Sequence, residues 1–146
     1  ADACSLGNVF AAPTAKSILN AIRYVPNEKG VLCIATNHAG DVLNFELVAG
    51  LAEMEGIHTR QIYVSDDITS AEKTQREEHR GIAGVSLIVK IAAAASEAGL
   101  SLEEVYEIAS MANKNIYTVS VTGLYSGDRT AGLRASRRRN GVWYGL

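Results

Sequence analysis

Asp41 is the residue of this chain to weigh first as a candidate for proton chemistry. It follows Asn37-His38-Ala39-Gly40, and these follow the apolar run Val31-Leu32-Cys33-Ile34-Ala35. That order reads as a buried strand, a tight Gly turn, and a helix from about Val42 whose first turn carries the carboxylate. In open α/β sheets ligands bind in the crevice beyond the carboxyl ends of the strands. Asp41 therefore has two readings: a general base within reach of a hydroxyl, or the N-cap of the helix. Spacing alone favours the cap, and the two are compatible. A helix N-terminus stabilises an anion, which keeps the acid ionised and makes it a weak base unless burial opposes the effect.

The neighbouring polar groups carry less. Asn37 and His38 share the turn with Asp41; His38 could bind a ligand, although a lone loop histidine reads first as a solvated side chain. His58 and His79 fall in stretches that read as surface, and the three histidines share no metal-ligand spacing, so no metal site is expected. Asp66-Asp67 follow a strand and could line the same crevice, with a solvated loop as the commoner meaning. There is no Walker loop or dinucleotide fingerprint, and no nucleophile elbow.

The elements that must position these groups are legible from periodicity. Thr14 after Pro13 suits a helix N-cap, and Ile18, Leu19, Ile22 and Val25 recur at helical spacing until Pro26-Asn27. Lys29-Gly30 leads into a strand over 31–35. Leu43, Leu47 and Leu51 mark the next helix, with Gly56 at its C′ position. Gln61-Ile62-Tyr63-Val64-Ser65 reads as a second strand, completing a βαβ unit with the expected right-handed crossover. Residues 66–80 read as a surface loop. The stretch Ile82 to Ala98 is apolar almost all round, as suits a helix packed on both sides. Gly99 ends it, and Ser101-Leu102-Glu103-Glu104 has capping-box spacing for another helix. A further strand is expected over 117–122.

Composition bounds the rest. The 146 residues are 47% apolar, enough for one domain. The net charge of -2 is uneven: residues 126–146 hold five arginines (129, 134, 137, 138, 139) against Asp128, so the preceding body is acidic. An acidic body argues against nucleic acid, and a short arginine run reads first as solvated. Cys4 and Cys33 have no metal or redox spacing, and Cys33 inside an apolar strand reads as an inert buried thiol. No signal-peptide pattern opens the chain, and the run Ile91 to Ala95 is far too short to span a membrane. A cytoplasmic location follows by elimination, with no membrane partner.

Three stretches carry a resemblance: Gly7-Asn8-Val9-Phe10-Ala11-Ala12-Pro13-Thr14, Asn37-His38-Ala39-Gly40-Asp41-Val42-Leu43-Asn44-Phe45, and Arg80-Gly81-Ile82-Ala83-Gly84. With Glu97-Ala98-Gly99-Leu100-Ser101-Leu102-Glu103-Glu104 following in order, residues 1–125 resemble the substrate-binding domain of the dihydroxyacetone (glycerone) kinases. The resemblance implies a doubly wound α/β domain, with a mostly parallel sheet and helices on both faces, that binds dihydroxyacetone. In that family a His holds the substrate as a hemiaminal, and an Asp assists deprotonation of the hydroxyl that receives phosphate. By position Asp41 matches that Asp, with Thr36, Asn37, His38 and Asp41 as the substrate-binding set.

This chain also departs from the family. Thr36 stands where Lys is usual, which removes a cationic donor, and His38-Ala39 stand where Tyr-Thr is usual. The family's Gly-Gly-Ser-Gly-His and Gly-Ile-His-Gly-Glu segments are not in the chain. The resemblance further implies a phosphoryl donor, ATP-Mg or a phosphoprotein relay, on a separate nucleotide-binding kinase subunit or domain. It implies no cofactor on this chain, and a homodimer in the intact family member. The chain alone is expected to be a fragment with little or no kinase turnover. The alternative is a non-catalytic paralogue that senses dihydroxyacetone and regulates a partner. The segment Arg138 to Gly145 can be encoded as AGA AGG AAT GGA GTA TGG TAT GGC, which shifted by one base reads Glu-Gly-Met-Glu-Tyr-Gly-Met. That string looks like the family's acidic stretch, so 126–146 is expected to be an out-of-frame translation, with a genuinely divergent basic tail as the alternative.

Overall fold

The computed structural model describes residues 1–72 and 74–120. Helix α1 (Ala15–Tyr24) begins where expected: the Thr14 Oγ1 accepts the Ser17 amide at 3.2 Å, satisfying one donor of its first turn. Strand β1 (Val31–Thr36) follows, then helix α2 (Ala39–Met54) and strand β2 (Thr59–Val64). A single 3₁₀ turn (Arg76–Glu78) precedes helices α3 (Gly84–Glu97) and α4 (Leu102–Asn115). Ser101 and Glu104 form the expected capping box at the start of α4.

The two strands pair in parallel, from Val31 opposite Thr59 to Thr36 opposite Val64. Residues paired across a parallel ladder share a face, so Ile34 and Ile62 point together, and Cys33 points the other way. Ile62 and Val64 pack with Ile88, Ala92 and Ala95 of α3 and Val105 and Ala109 of α4. On the opposite face Cys33 packs with Ile18, Leu19 and Ile22 of α1 and Val48 and Ala52 of α2. The α/β class with helices on both faces of a parallel sheet thus stands. Each large aliphatic in these two layers contributes about 1.5–3 kcal/mol.

Several local expectations are corrected. Helix α2 starts at Ala39 rather than Val42, so Gly40 lies inside the helix and no tight Gly turn precedes it. Its N-cap is His38, which makes no side-chain capping bond, so Asp41 is not the cap. Helix α3 starts at Gly84 and is packed on one side only among the described residues: Gly84, Ile88, Ala92 and Ala95 are buried, while Leu87 is exposed. The row Leu43–Leu47 also faces outward, the buried side of α2 being Val48 and Ala52.

The stretch 66–80 is not a plain surface loop, since Asp66, Asp67, Ser70 and His79 are all buried. Of the strand expected over 117–122, Thr118 makes one parallel bridge with Asp67. Residues 121–122 and the arginine-rich segment 126–146 lie outside the described residues.

Candidate functional site

The three motif stretches meet at the carboxyl end of β1. Asp41 lies in the first turn of α2, and its Oδ2 accepts the Thr36 hydroxyl at 3.0 Å. The helix places the carboxylate beside the strand end because Thr36 closes β1 only two residues before the His38 N-cap. One turn on from Asp41, the Asn44 amide donates to the Pro13 carbonyl at 2.8 Å, and Gly40 leaves room for Ala12. A Cβ at Gly40 would stand 3.2 Å from that of Ala12. The Gly7–Thr14 stretch is thereby seated against the helix that carries Asp41.

The third stretch crosses the ends of both strands. A Cβ at Gly81 would stand 2.2 Å from the Val64 carbonyl and 2.8 Å from the Asn37 amide, so only glycine allows the chain to lie there. His38 is exposed but not free: its Nε2–H donates to the Gly81 carbonyl at 3.0 Å. Asn37 Nδ2 donates to the carbonyls of Glu77 at 2.9 Å and His79 at 2.7 Å. Both amide hydrogens of Asn37 are therefore spent on the backbone, leaving Oδ1 as its free polar atom.

Sequence reasoning underrated Asp66 and Asp67, which are 0% and 3% exposed. Asp66 accepts the amides of Ile82 and Gly84, each at 2.8 Å, and the hydroxyl of Thr118. Burial pushes its carboxyl up, but the bond from Thr118 and those two amides outweigh burial and hold it below the usual carboxylate range. Asp67 behaves alike: burial raises it, and Thr69 and Ser120 together bring it below its ordinary value. A Cβ at Gly84 would lie 2.8 Å from the Asp66 carboxyl carbon, so the glycine of Arg80–Gly84 admits the acid to the α3 N-terminus. The available signal was an Asp pair directly after a strand, with Gly-x-x-Gly downstream. His79, expected at the surface, is 2% exposed, and its Nε2–H donates to the Glu72 carbonyl at 3.0 Å. His58 is exposed, as expected, beside Glu103.

One helix N-terminus near the site is already occupied. The α3 N-terminus, which would attract a phosphate, is filled by Asp66. Among the described residues no three His, Cys, Asp or Glu side chains are grouped to hold a metal ion. A carboxylate such as that of Asp41 accepts a hydrogen bond or a proton from a hydroxyl brought within reach. Separately, a groove of about 710 Å³ runs between β2 and α4, lined by Gln61, Tyr63, Tyr106 and Met111, and reaches Asn37 at one end. No helix among the described residues is long and apolar enough to cross a membrane.

A parallel strand pair covered by helices on both faces defines an α/β domain. The chain belongs to the Dak1 domain family, whose model matches residues 1–127. It is 40% identical over 121 residues to the dihydroxyacetone-binding subunit of a PTS-dependent dihydroxyacetone kinase of Listeria innocua, covering 83% of this chain and 36% of that protein. It is likewise 40% identical to a D-erythrulose kinase of Mycolicibacterium smegmatis, over 83% of this chain and 21% of the relative. The chain thus spans about a third or less of the curated relatives' length.

Two solved structures share the fold. The dihydroxyacetone kinase of C. freundii matches with a TM-score of 0.69 at 40% identity, over 75% of this chain and 20% of that one. A dihydroxyacetone kinase operon co-activator matches with a TM-score of 0.65 at 37% identity, over 70% of this chain and 32% of the other.

Proposed function

We propose that this chain carries part of the substrate side of a dihydroxyacetone kinase. It would bind dihydroxyacetone, or a related short hydroxymethyl ketone, against Asp41 and Thr36. Asp41 accepts the proton of the hydroxyl that is phosphorylated, and His38 and the Asn37 Oδ1 line the same site. The observation that carries this reading is the half-buried Asp41 carboxylate, held by Thr36 at the carboxyl end of β1, in a family whose members include dihydroxyacetone-binding subunits. Relatives that bear the names of erythrulose kinases support a substrate class wider than one ketose.

The donor, ATP-Mg or a phosphoprotein relay, would sit on a separate nucleotide-binding subunit or domain, a reading supported by relatives that are separate dihydroxyacetone-binding subunits. Phosphoryl transfer depends on positioning and electrostatics that a partner can supply. The working assembly is a homodimer in the cytoplasm, and this chain alone turns over little or nothing. Isothermal titration of the 146-residue chain with dihydroxyacetone tests the reading. Reversible binding, displaced by erythrulose, is the expected result; absence of binding to either ketose overturns it. Tight, covalent-like binding would contradict the reversible site described here.

A second reading has its own support. The co-activator match and the neutral Thr36 beside Asp41 fit a non-catalytic sensor of dihydroxyacetone. Binding that persists without turnover in the presence of a nucleotide-binding kinase subunit and its donor would favour the sensor.

A further inference from the structure

The segment from His79 to Gly84 is held at nearly every step. The His79 carbonyl takes the Asn37 amide at 2.7 Å, and the Arg80 amide donates to Ser70 Oγ at 2.8 Å. The Arg80 carbonyl accepts the Asp67 amide at 2.9 Å. Beyond Gly81, the amides of Ile82 and Gly84 both end on Asp66. The Gly81 carbonyl, between these anchors, accepts His38 Nε2–H. A carbonyl can only accept, so this bond fixes the ring proton on Nε2. The neutral ring then has a bare lone pair on Nδ1, and the His38 side chain makes no capping bond to α2.

We propose that Asp66 is a positioning residue for the Asp41 site: by gripping the Ile82 and Gly84 amides it presents the Gly81 carbonyl to His38. That contact holds the imidazole as the Nε2–H tautomer and leaves its Nδ1 free to accept a bond from a substrate hydroxyl. Asp66 is fully buried, so it acts through the strap rather than on the ligand. The use of Nδ1 by substrate rests on the ketose-binding reading above; the hold on His38 does not.

The test separates the two. In the full chain, the His38 Nε2 proton is followed by nitrogen-detected NMR at a pH where the ring is neutral, with free N-acetylhistidine in the same buffer as the reference. The expected result is solvent exchange slowed about tenfold relative to that reference, the protection given by one hydrogen bond. In Asp66→Asn, which puts an amide NH2 against a backbone donor, that protection is lost. In Thr118→Val, which loosens the same acid but leaves both backbone amides on it, protection remains. An unprotected His38 in the wild type, an unchanged His38 in Asp66→Asn, or equal loss in both variants overturns the proposal. If Asp66→Asn does not fold, Gly84→Ala displaces the same carboxylate from the other side and must give the same loss. Dihydroxyacetone titrations on the same samples read the functional part. Protection without ketose binding supports the positioning role and sinks the substrate reading. A loss of affinity in Asp66→Asn but not in Thr118→Val supports both.

Discussion

Asp41 and Cys33 illustrate what a single side chain can be asked to do. Asp41 stands in the first turn of α2 with a neutral donor, Thr36, on one oxygen. The other oxygen accepts no bond from a described residue. Asp41→Asn keeps the shape and removes the charge. It should weaken dihydroxyacetone binding by about 1.5–3 kcal/mol, roughly ten- to hundredfold in Kd, measured by calorimetry. With a nucleotide-binding kinase subunit present, turnover should fall about 10²–10⁴-fold, the share of a general base. Equal affinities for the two proteins would remove Asp41 from the site. Cys33 is buried, and burial pushes its thiol up to about 11, whereas Cys4 is exposed. Because the thiolate is the nucleophile, a thiol reagent at pH 8 should label Cys4 in the native chain and reach Cys33 only in denaturant. Mass spectrometry of the labelled protein checks this.

At the scale of elements, the joint between β2, α3 and the Thr118 segment depends on Asp66. Its folded pKa lies below that of an unfolded Asp, near 3.9. The sign follows: stability from this group is complete above about pH 4 and is lost as pH falls through the lower folded value. Asp67 acts in the same direction. Chemical-denaturation midpoints between pH 7 and pH 2 should therefore fall on the acid side, with a shallower fall in Asp66→Asn. That variant should also be about 2–3 kcal/mol less stable at neutral pH, because buried donors lose a charged acceptor. A parallel pH dependence in wild type and variant would count against Asp66 as the acid-sensitive group. Gly81→Ala should cost about 1–3 kcal/mol by overpacking, since its methyl group would press on the Val64 carbonyl; thermal unfolding reads the loss.

For the whole molecule, the notable feature is apolar surface. Leu6, Val9 and Phe10 are exposed on the segment seated against α2, and Leu43 and Leu47 are exposed on α2 itself. Phe10 is held at φ 53, a left-handed backbone angle uncommon for a non-glycine residue. Exposed apolar clusters favour association. Sedimentation of the chain should therefore depend on concentration, and Leu47→Glu with Phe10→Ser should shift it toward monomer. A monomer at all concentrations in the unaltered chain would overturn this expectation.

Much of this was readable in one dimension. The α1, β1, β2 and α4 signals, the Thr14 cap and the Ser101–Glu104 box are set by neighbours within a few residues, and periodicity reports such local preferences. The place of Asp41 at a strand–helix junction was legible too, because the patterns of β1 and α2 flank it. Other features depended on contacts across long separations. Asp41 lost its reading as a cap because the helix began three residues earlier than its apolar pattern showed. Asp66, Asp67 and His79 looked solvated because their partners, Ile82, Gly84, Thr118, Ser120 and Glu72, are invisible to a window of neighbours. The sequence by itself determined the α/β class and the order of its elements; tertiary packing alone decided which polar residues are buried, because that depends on which distant donors the fold brings to them.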